Sequence, residues 1–147
     1  PIPVNLYGPN DNFEMNSSHV IPALIRKFID ARDNNKQEVV NWGTGQATRE
    51  FLYVDDCADG LISCMQYYNS EDPVNIGSGE EISISKLSTM IKEIVGYDGT
   101  VKWNSSMPDG QLKRHLDTDK AYKDFGFKSE ISLETGLKKT IDWYECL

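Results

Sequence analysis

The sequence predicts an α/β fold, and three observations carry that reading. Short runs rich in Val, Ile or aromatic residues recur along the chain, at Pro3–Tyr7, Val39–Trp42, Pro73–Ile76 and Val101–Trp103. Longer segments with apolar residues at helical spacing lie between them. Gly and Pro punctuation separates the two kinds, as at Gly8-Pro9, Gly77-Ser78-Gly79 and Pro108-Asp109-Gly110. Short strands alternating with helices are the signature of a layered α/β architecture.

Taken in order, Pro3–Tyr7 reads as a strand that ends at the Gly8-Pro9 turn and opens into a polar loop, Asn10 to Ser18. In open α/β sheets ligands bind beyond the carboxyl ends of strands, so Asn5 to Ser18 is well placed to carry site residues. Val20, Ile21, Leu24, Ile25 and Phe28 then mark a helix that tolerates Pro22 only in its first turn, which puts His19 at or beside its N-terminus. Lys27, eight residues on and close to two helical turns, shares the face of His19 better than Arg26 does.

Farther along, Ala58, Leu61, Ile62, Met65 and Tyr68 mark one side of a second helix. Its start is read with Asp55 as N-cap and Asp56 in the first turn, in preference to an acid/base or metal pair. Pro73–Ile76 is a short strand, and the two carboxylates Glu80-Glu81 make the Gly77-Ser78-Gly79 turn after it a poor phosphate cradle. Ser83 caps a third helix that Gly96 ends, Asp117 or Thr118 opens a short helix ended by Gly126, and Ser132 opens the last. Lys113 and Arg114 form a local cation pair just after the Pro108-Asp109-Gly110 turn.

The most informative run is Val39 to Asp56, VVNWGTGQATREFLYVDD. Gly43 and Gly45 break it into a turn where backbone approaches a bound group closely, between a strand ending at Trp42 and one from which Arg49 reaches out. An aromatic face plus a guanidinium on neighbouring strands suits a nucleoside diphosphate, because indole gives flat contact area and Arg grips phosphate oxygens bidentately. The competing reading is a hairpin-like connection with a packed Trp. Asp109 likewise has two readings, a hydrogen-bond acceptor for a ribose or base and the closure of its own Asx-turn.

At 147 residues the chain is long enough for one compact domain. Its 15 Lys and Arg against 23 Asp and Glu give a formal net charge of -8. That balance speaks against nucleic acid or an anionic membrane as main partner, since such surfaces need a broad positive face. No apolar run approaches membrane-spanning length and no basic-then-apolar leader opens the chain, so neither spanning nor secretion is expected. Three cysteines give no disulfide framework and point to reduced thiols in a cytoplasmic setting. Cys57 and Cys64 share a helix about 10 Å apart along its axis, beyond disulfide reach. Neither has a ligand-spaced partner, so no metal site is expected. The chain opens Pro1-Ile2-Pro3 without Met, from which a preceding part is expected.

Asn5-Leu6-Tyr7-Gly8-Pro9, Ser18-His19-Val20-Ile21-Pro22-Ala23-Leu24, Trp42-Gly43-Thr44-Gly45, Arg49-Glu50-Phe51-Leu52-Tyr53-Val54-Asp55-Asp56 and Pro108-Asp109-Gly110 together resemble the GDP-L-fucose synthases. These are epimerase/reductases of the extended short-chain dehydrogenase/reductase family. The likeness runs over nearly the whole chain. It implies the last strands of an NAD(P)-binding Rossmann sheet plus the small substrate-binding domain. Residues 1–147 would then be the carboxy-terminal, mainly substrate-binding part of an NAD(P)-dependent epimerase/dehydratase domain, with the amino-terminal Rossmann half absent.

The resemblance also implies roles. Pro3, Val4, Asn5 and Leu6 match the segment at the nicotinamide end of NADP, with Val4 where Thr is frequent. His19 matches the acid of the epimerisation and lies near the cofactor. Lys27, Trp42, Arg49 and Asp109 match substrate-contacting positions, with Lys27 where some members carry Arg. The implied reaction is epimerisation of GDP-4-keto-6-deoxy-D-mannose at C3 and C5, followed by reduction at C4 with NADPH. The Cys base, the Tyr/Lys pair and the Gly-rich dinucleotide turn are not in this chain, so the isolated 147 residues are expected to be inactive. Its expected partners are a GDP-sugar and either the missing half or another copy of the chain, as in a homodimer, through an exposed apolar face. Two rival readings are a sibling enzyme acting on another sugar nucleotide and a non-catalytic nucleotide-sugar binding module.

Overall fold

The computed structural model describes residues 1–14 and 17–147. Met15 and Asn16, inside the loop expected from Asn10 to Ser18, lie outside the described residues.

The expected first strand is two. β1 (Ile2–Pro3) runs parallel to β5 (Asn75–Ile76), and β2 (Asn5–Tyr7) runs parallel to the second half of β4 (Thr48–Tyr53). β4 is the spine of the fold. Its first half changes company, pairing antiparallel with β6 (Glu81–Ser83) and parallel with β8 (Lys113–Arg114). β3 (Glu38–Trp42) and β7 (Thr100–Asn104) form a separate parallel pair.

That last pairing corrects the expectation that Trp42 and Arg49 stand on neighbouring strands, and with it the hairpin-like reading. Gly43 and Gly45 hold φ of 79° and 75°, a left-handed conformation costly for other residues, and they turn the chain away from a hairpin. The Gly43 N–H instead bonds to Asn104 O at 3.0 Å, extending the β3–β7 ladder.

Three helices build the larger core. α1 (Val20–Asp33), α3 (Ile84–Val95) and α5 (Leu133–Glu145) bury Ile21, Ile25, Phe28, Leu87, Ile91, Leu137 and Ile141 against Tyr7, Phe51 and Tyr53. Each such aliphatic side chain contributes about 1.5–3 kcal/mol by leaving water. α3 starts where the sequence places it, with Ser83 Oγ accepting from Lys86 N at 3.3 Å and Gly96 at φ 73° closing its far end. Ser132 Oγ does the same for α5, accepting from Thr135 N at 3.3 Å.

The smaller core lies under α2 (Val54–Tyr67) and α4 (Asp119–Phe125), where Val4, Leu52, Cys57, Cys64, Ile76 and Phe127 meet. Thr118 is the N-cap residue of α4, yet the carboxylate that serves its first turn is that of Asp117, accepting from Asp119 N at 3.0 Å.

One expectation for α2 is corrected. Tyr53, not Asp55, is its N-cap residue, and no side chain caps it. Asp55 and Asp56 both sit in the first turn, where either charge favours the helix dipole. Asp56 is buried, and its Oδ2 accepts from Glu130 N at 3.1 Å and Ile131 N at 3.0 Å, tying α2 to the segment before α5. The apolar side marked in the sequence is not the buried one. Cys57, Gly60 and Cys64 face inward, whereas Leu61, Ile62 and Met65 are exposed, Met65 by 78%. Gly60 explains the choice: it lets Phe127 and Ile76 approach so closely that any Cβ would collide with them.

Candidate active site

β4 and the start of α1 assemble the site. Side chains alternate along a strand, so Arg49 and Phe51 point to one face while Glu50 turns to the other. Both line a cavity of about 420 Å³ together with Asn5, Leu6, Asp11 and His19. Asn5 is fixed there by donation from its Nδ2 to Glu50 O at 2.9 Å. His19 is the N-cap residue of α1, extended at φ -73° and ψ 172°, and its imidazole makes no capping bond.

A second cavity of about 210 Å³ is lined by Trp42, Gly45, Ala47, Pro108 and Asp109. Val20 and Arg49 line both cavities, so the two adjoin at the guanidinium. Trp42 is 71% exposed, an unusual state for an indole and one that leaves its flat face available. Arg49 donates from Nη1 to Thr48 O at 2.7 Å, and among the described residues it pairs with no carboxylate. The imidazole thus lines the first cavity and the indole the second, with the guanidinium common to both.

In place of an Asx-turn of its own, Asp109 makes a contact distant in sequence. It accepts from Thr44 N at 2.6 Å and from Thr44 Oγ1 at 2.7 Å, joining the turn after Trp42 to the Pro108-Asp109-Gly110 turn. These hydrogen bonds, the Thr44 hydroxyl first, hold its carboxyl below the usual carboxylate range. Gly43 is required here because a Cβ would strike the Asp109 carboxylate.

Other expected residues stand outside the cleft lining. Lys27 donates to Val40 O at 3.0 Å and Asn41 Oδ1 at 3.1 Å, and burial pushes its ammonium pKa down. Asn41 in turn donates to Ser88 Oγ at 3.0 Å, so one polar chain links α1, β3 and α3 directly behind Trp42. Pro3 is exposed in β1, and Val4 is buried in the smaller core. Of the cation pair, Lys113 is engaged by Glu81 at 3.0 Å.

Two larger grooves, of about 660 and 490 Å³, run along α3 and the start of α5. Glu134 and Lys138 on their walls already pair with each other at 2.6 Å. They gather no imidazole, indole or unpaired guanidinium, and so lack the convergent polar groups of a ligand site.

Two residues of the cleft region carry no site role in the sequence reading. Asp11 sits in the loop beyond β2, in the Asp11-Asn12-Phe13 run that belongs to the family resemblance. Glu50 stands between Arg49 and the apolar run Phe51-Leu52-Tyr53-Val54, where nothing local marks its carboxylate as buried.

Residues 1–77 match the NAD dependent epimerase/dehydratase family. The chain belongs to that family. Members similar to it include probable GDP-L-fucose synthase 1 of Oryza sativa subsp. japonica, 48% identical over 143 residues that make up 97% of this chain and 43% of the relative. GDP-L-fucose synthase 1 of Arabidopsis thaliana is 46% identical, over 97% of this chain and 44% of its own length. The crystal structure of a GDP-L-fucose synthetase from Naegleria fowleri bound to NADP superposes with a TM-score of 0.90 at 33% identity, covering 98% of this chain and 45% of that one. The chain therefore spans less than half the length of these family members. The expected α/β architecture with parallel strands is the one these members share. No helix among the described residues is long and apolar enough to cross a membrane.

Proposed function

We propose that this chain is the carboxy-terminal, mainly substrate-binding portion of an NADP-dependent GDP-L-fucose synthase. That enzyme epimerises GDP-4-keto-6-deoxy-D-mannose at C3 and C5 and reduces it at C4. The observation that carries the reading is the pair of adjoining cavities, one lined by His19 and the other by Trp42, that share Arg49.

The two arms of the cleft divide the work. In the arm with Trp42, the indole stacks on the guanine and Asp109, through its hold on Thr44, keeps the wall of the base pocket in place. Arg49, at the bend, grips the diphosphate. Lys27 joins it when a phosphate oxygen replaces Val40 O and Asn41 Oδ1 as its acceptor. In the other arm the keto sugar lies beside His19, which supplies a proton to one face of the carbon next to the carbonyl. Asn5 and Leu6, with Pro3 and the main chain of Val4 behind them, border the nicotinamide end of NADP. The chemistry of the lining fits that group: a carboxamide held in place by Glu50 O, an apolar side chain and an imidazole share one cavity. The cofactor supplies the hydride when bound; this chain's residues orient the sugar and hold the proton.

The base, the Tyr/Lys pair and the Gly-rich turn belong to the other half, so the isolated chain consumes no NADPH. The exposed face of Leu61, Ile62 and Met65 on α2 is the place where that half docks. Its apolar character supports this, since solvent-facing helix surfaces are ordinarily polar. A homodimer in the cytoplasm is the expected assembly and location. Calorimetric titration of the chain with GDP and UDP tests the reading of the cleft. GDP binding at least tenfold tighter than UDP is expected, and equal affinities or no binding overturn it.

A further inference from the structure

On the face of β4 opposite the cleft, Glu50 is fully buried at 0% exposure, yet it carries a carboxylate. Burying a charge is costly unless hydrogen bonds compensate, and here they come from two separate segments. Oε1 accepts from Gly79 N at 2.9 Å, and Oε2 accepts from Leu116 N at 3.0 Å with His115 Nδ1 3.1 Å away. The turn at Gly77 is shaped around it, because a Cβ there would collide with Oε1. The main-chain carbonyl of the same residue receives Asn5 Nδ2. One residue therefore ties β2, the Gly77-Ser78-Gly79 turn and the His115-Leu116 segment to β4.

What Glu50 holds bears directly on the cleft. His115 and Leu116 follow β8, whose Arg114 pairs in register with Arg49. Directly paired strand residues stand close, and like charges so placed repel. Among the described residues neither guanidinium is matched by a carboxylate ion pair. The stretch from Asp109 to Leu116 is pinned at three points: Asp109 on Thr44, Leu112 O on Thr48 N at 2.8 Å, and Leu116 N on Glu50. Between the first two pins and the third, the β4–β8 ladder sets Arg114 against Arg49. The third pin, immediately after β8, anchors the far end of that short ladder.

We propose that Glu50 is a positioning residue for anion recognition: from behind the sheet its carboxylate keeps β8 against β4 and so holds Arg114 beside Arg49 as a two-guanidinium seat for phosphate. This rests on the reading of the cleft as a nucleoside diphosphate site. The ligand's charge then offsets the repulsion between the two guanidiniums, and bidentate geometry makes their spacing matter. A purely structural Glu50 would support the fold without caring which ligand binds.

The test uses Glu50→Gln in the 147-residue chain, with GDP and guanosine titrated separately and amide exchange followed by mass spectrometry. Expected are a GDP affinity at least tenfold weaker, a guanosine affinity within twofold of wild type, and faster exchange confined to residues 112–118. The proposal is overturned if GDP affinity stays within twofold, if GDP and guanosine weaken together, or if exchange at 112–118 does not change. Should Glu50→Gln fail to fold, His115→Ala decides, since that half-exposed imidazole is removable without opening the core. GDP affinity about threefold weaker with guanosine unchanged supports the proposal, and an unchanged GDP affinity overturns it. Wild-type chain that binds no GDP overturns the cleft reading and this seat together, whereas wild-type binding with an indifferent Glu50→Gln overturns the seat alone.

Discussion

The Asp109 carboxylate receives both the amide and the hydroxyl of Thr44, 65 residues away in sequence. This contact joins two turns that each need glycine, and it forms one wall of the cleft beside Trp42. Its titration has a defined sign. The hydrogen bonds lower the folded-state pKa of Asp109, so the stabilisation is fully present above the ordinary carboxylate value of about 3.9 and is lost as pH falls through the lowered value. Thr44→Val should therefore speed amide exchange at residues 109–112 at neutral pH. The difference from wild type should vanish only well below pH ~4.

Trp42 separates binding from stability. Because it is exposed, Trp42→Ala should change unfolding free energy by no more than about 0.5 kcal/mol in urea melts. GDP affinity should fall by roughly 1–3 kcal/mol, the range for loss of one base–aromatic stack. Equal affinities for wild type and variant would place the base elsewhere.

His19 makes no capping bond, so its removal should spare the helix. In the full-length enzyme, His19→Asn should slow solvent-deuterium incorporation at the epimerised carbons by about 10²–10⁴-fold, the usual contribution of a positioned acid. GDP affinity and melting temperature should stay near wild type. Undiminished deuterium incorporation would remove His19 from the chemistry.

The two helix faces of the chain should respond oppositely. Ile25→Ala or Ile91→Ala empties a site at 0% exposure in the larger core and should cost about 2–5 kcal/mol. Met65→Ser on α2 should leave the stability of the isolated chain within about 0.5 kcal/mol. It should also weaken recombination with the amino-terminal half, measurable by light scattering of the mixed fragments.

The pattern of strands and helices, the caps at Ser83 and Ser132 and the placement of His19 at a helix start were all legible, because each rests on local chemistry. Trp42 and Arg49 stood out as candidates because glycine-flanked aromatics and lone guanidiniums are conspicuous in an acidic chain. Their strands' true partners were not. β3 reaches forward some 60 residues to β7, and no local signal specifies a pairing so distant. The α2 helix shows the limit of periodicity: Leu61, Ile62 and Met65 form a proper apolar stripe, but spacing says nothing about what covers it. The buried side belongs to Cys57, Gly60 and Cys64, small residues whose value lies in allowing Phe127 and Ile76 to come close. Glu50 was hidden for a related reason, since the groups that meet its carboxylate come from residues 79, 115 and 116 and converge only after folding.

Phe51 and Tyr53 belong to the larger core while Leu52, between them, belongs to the smaller. Three successive residues of one strand therefore serve both hydrophobic clusters, and neither cluster can melt without dragging the strand out of the other. Heating should give a single calorimetric endotherm rather than two, even though the chain is built from two packing centres.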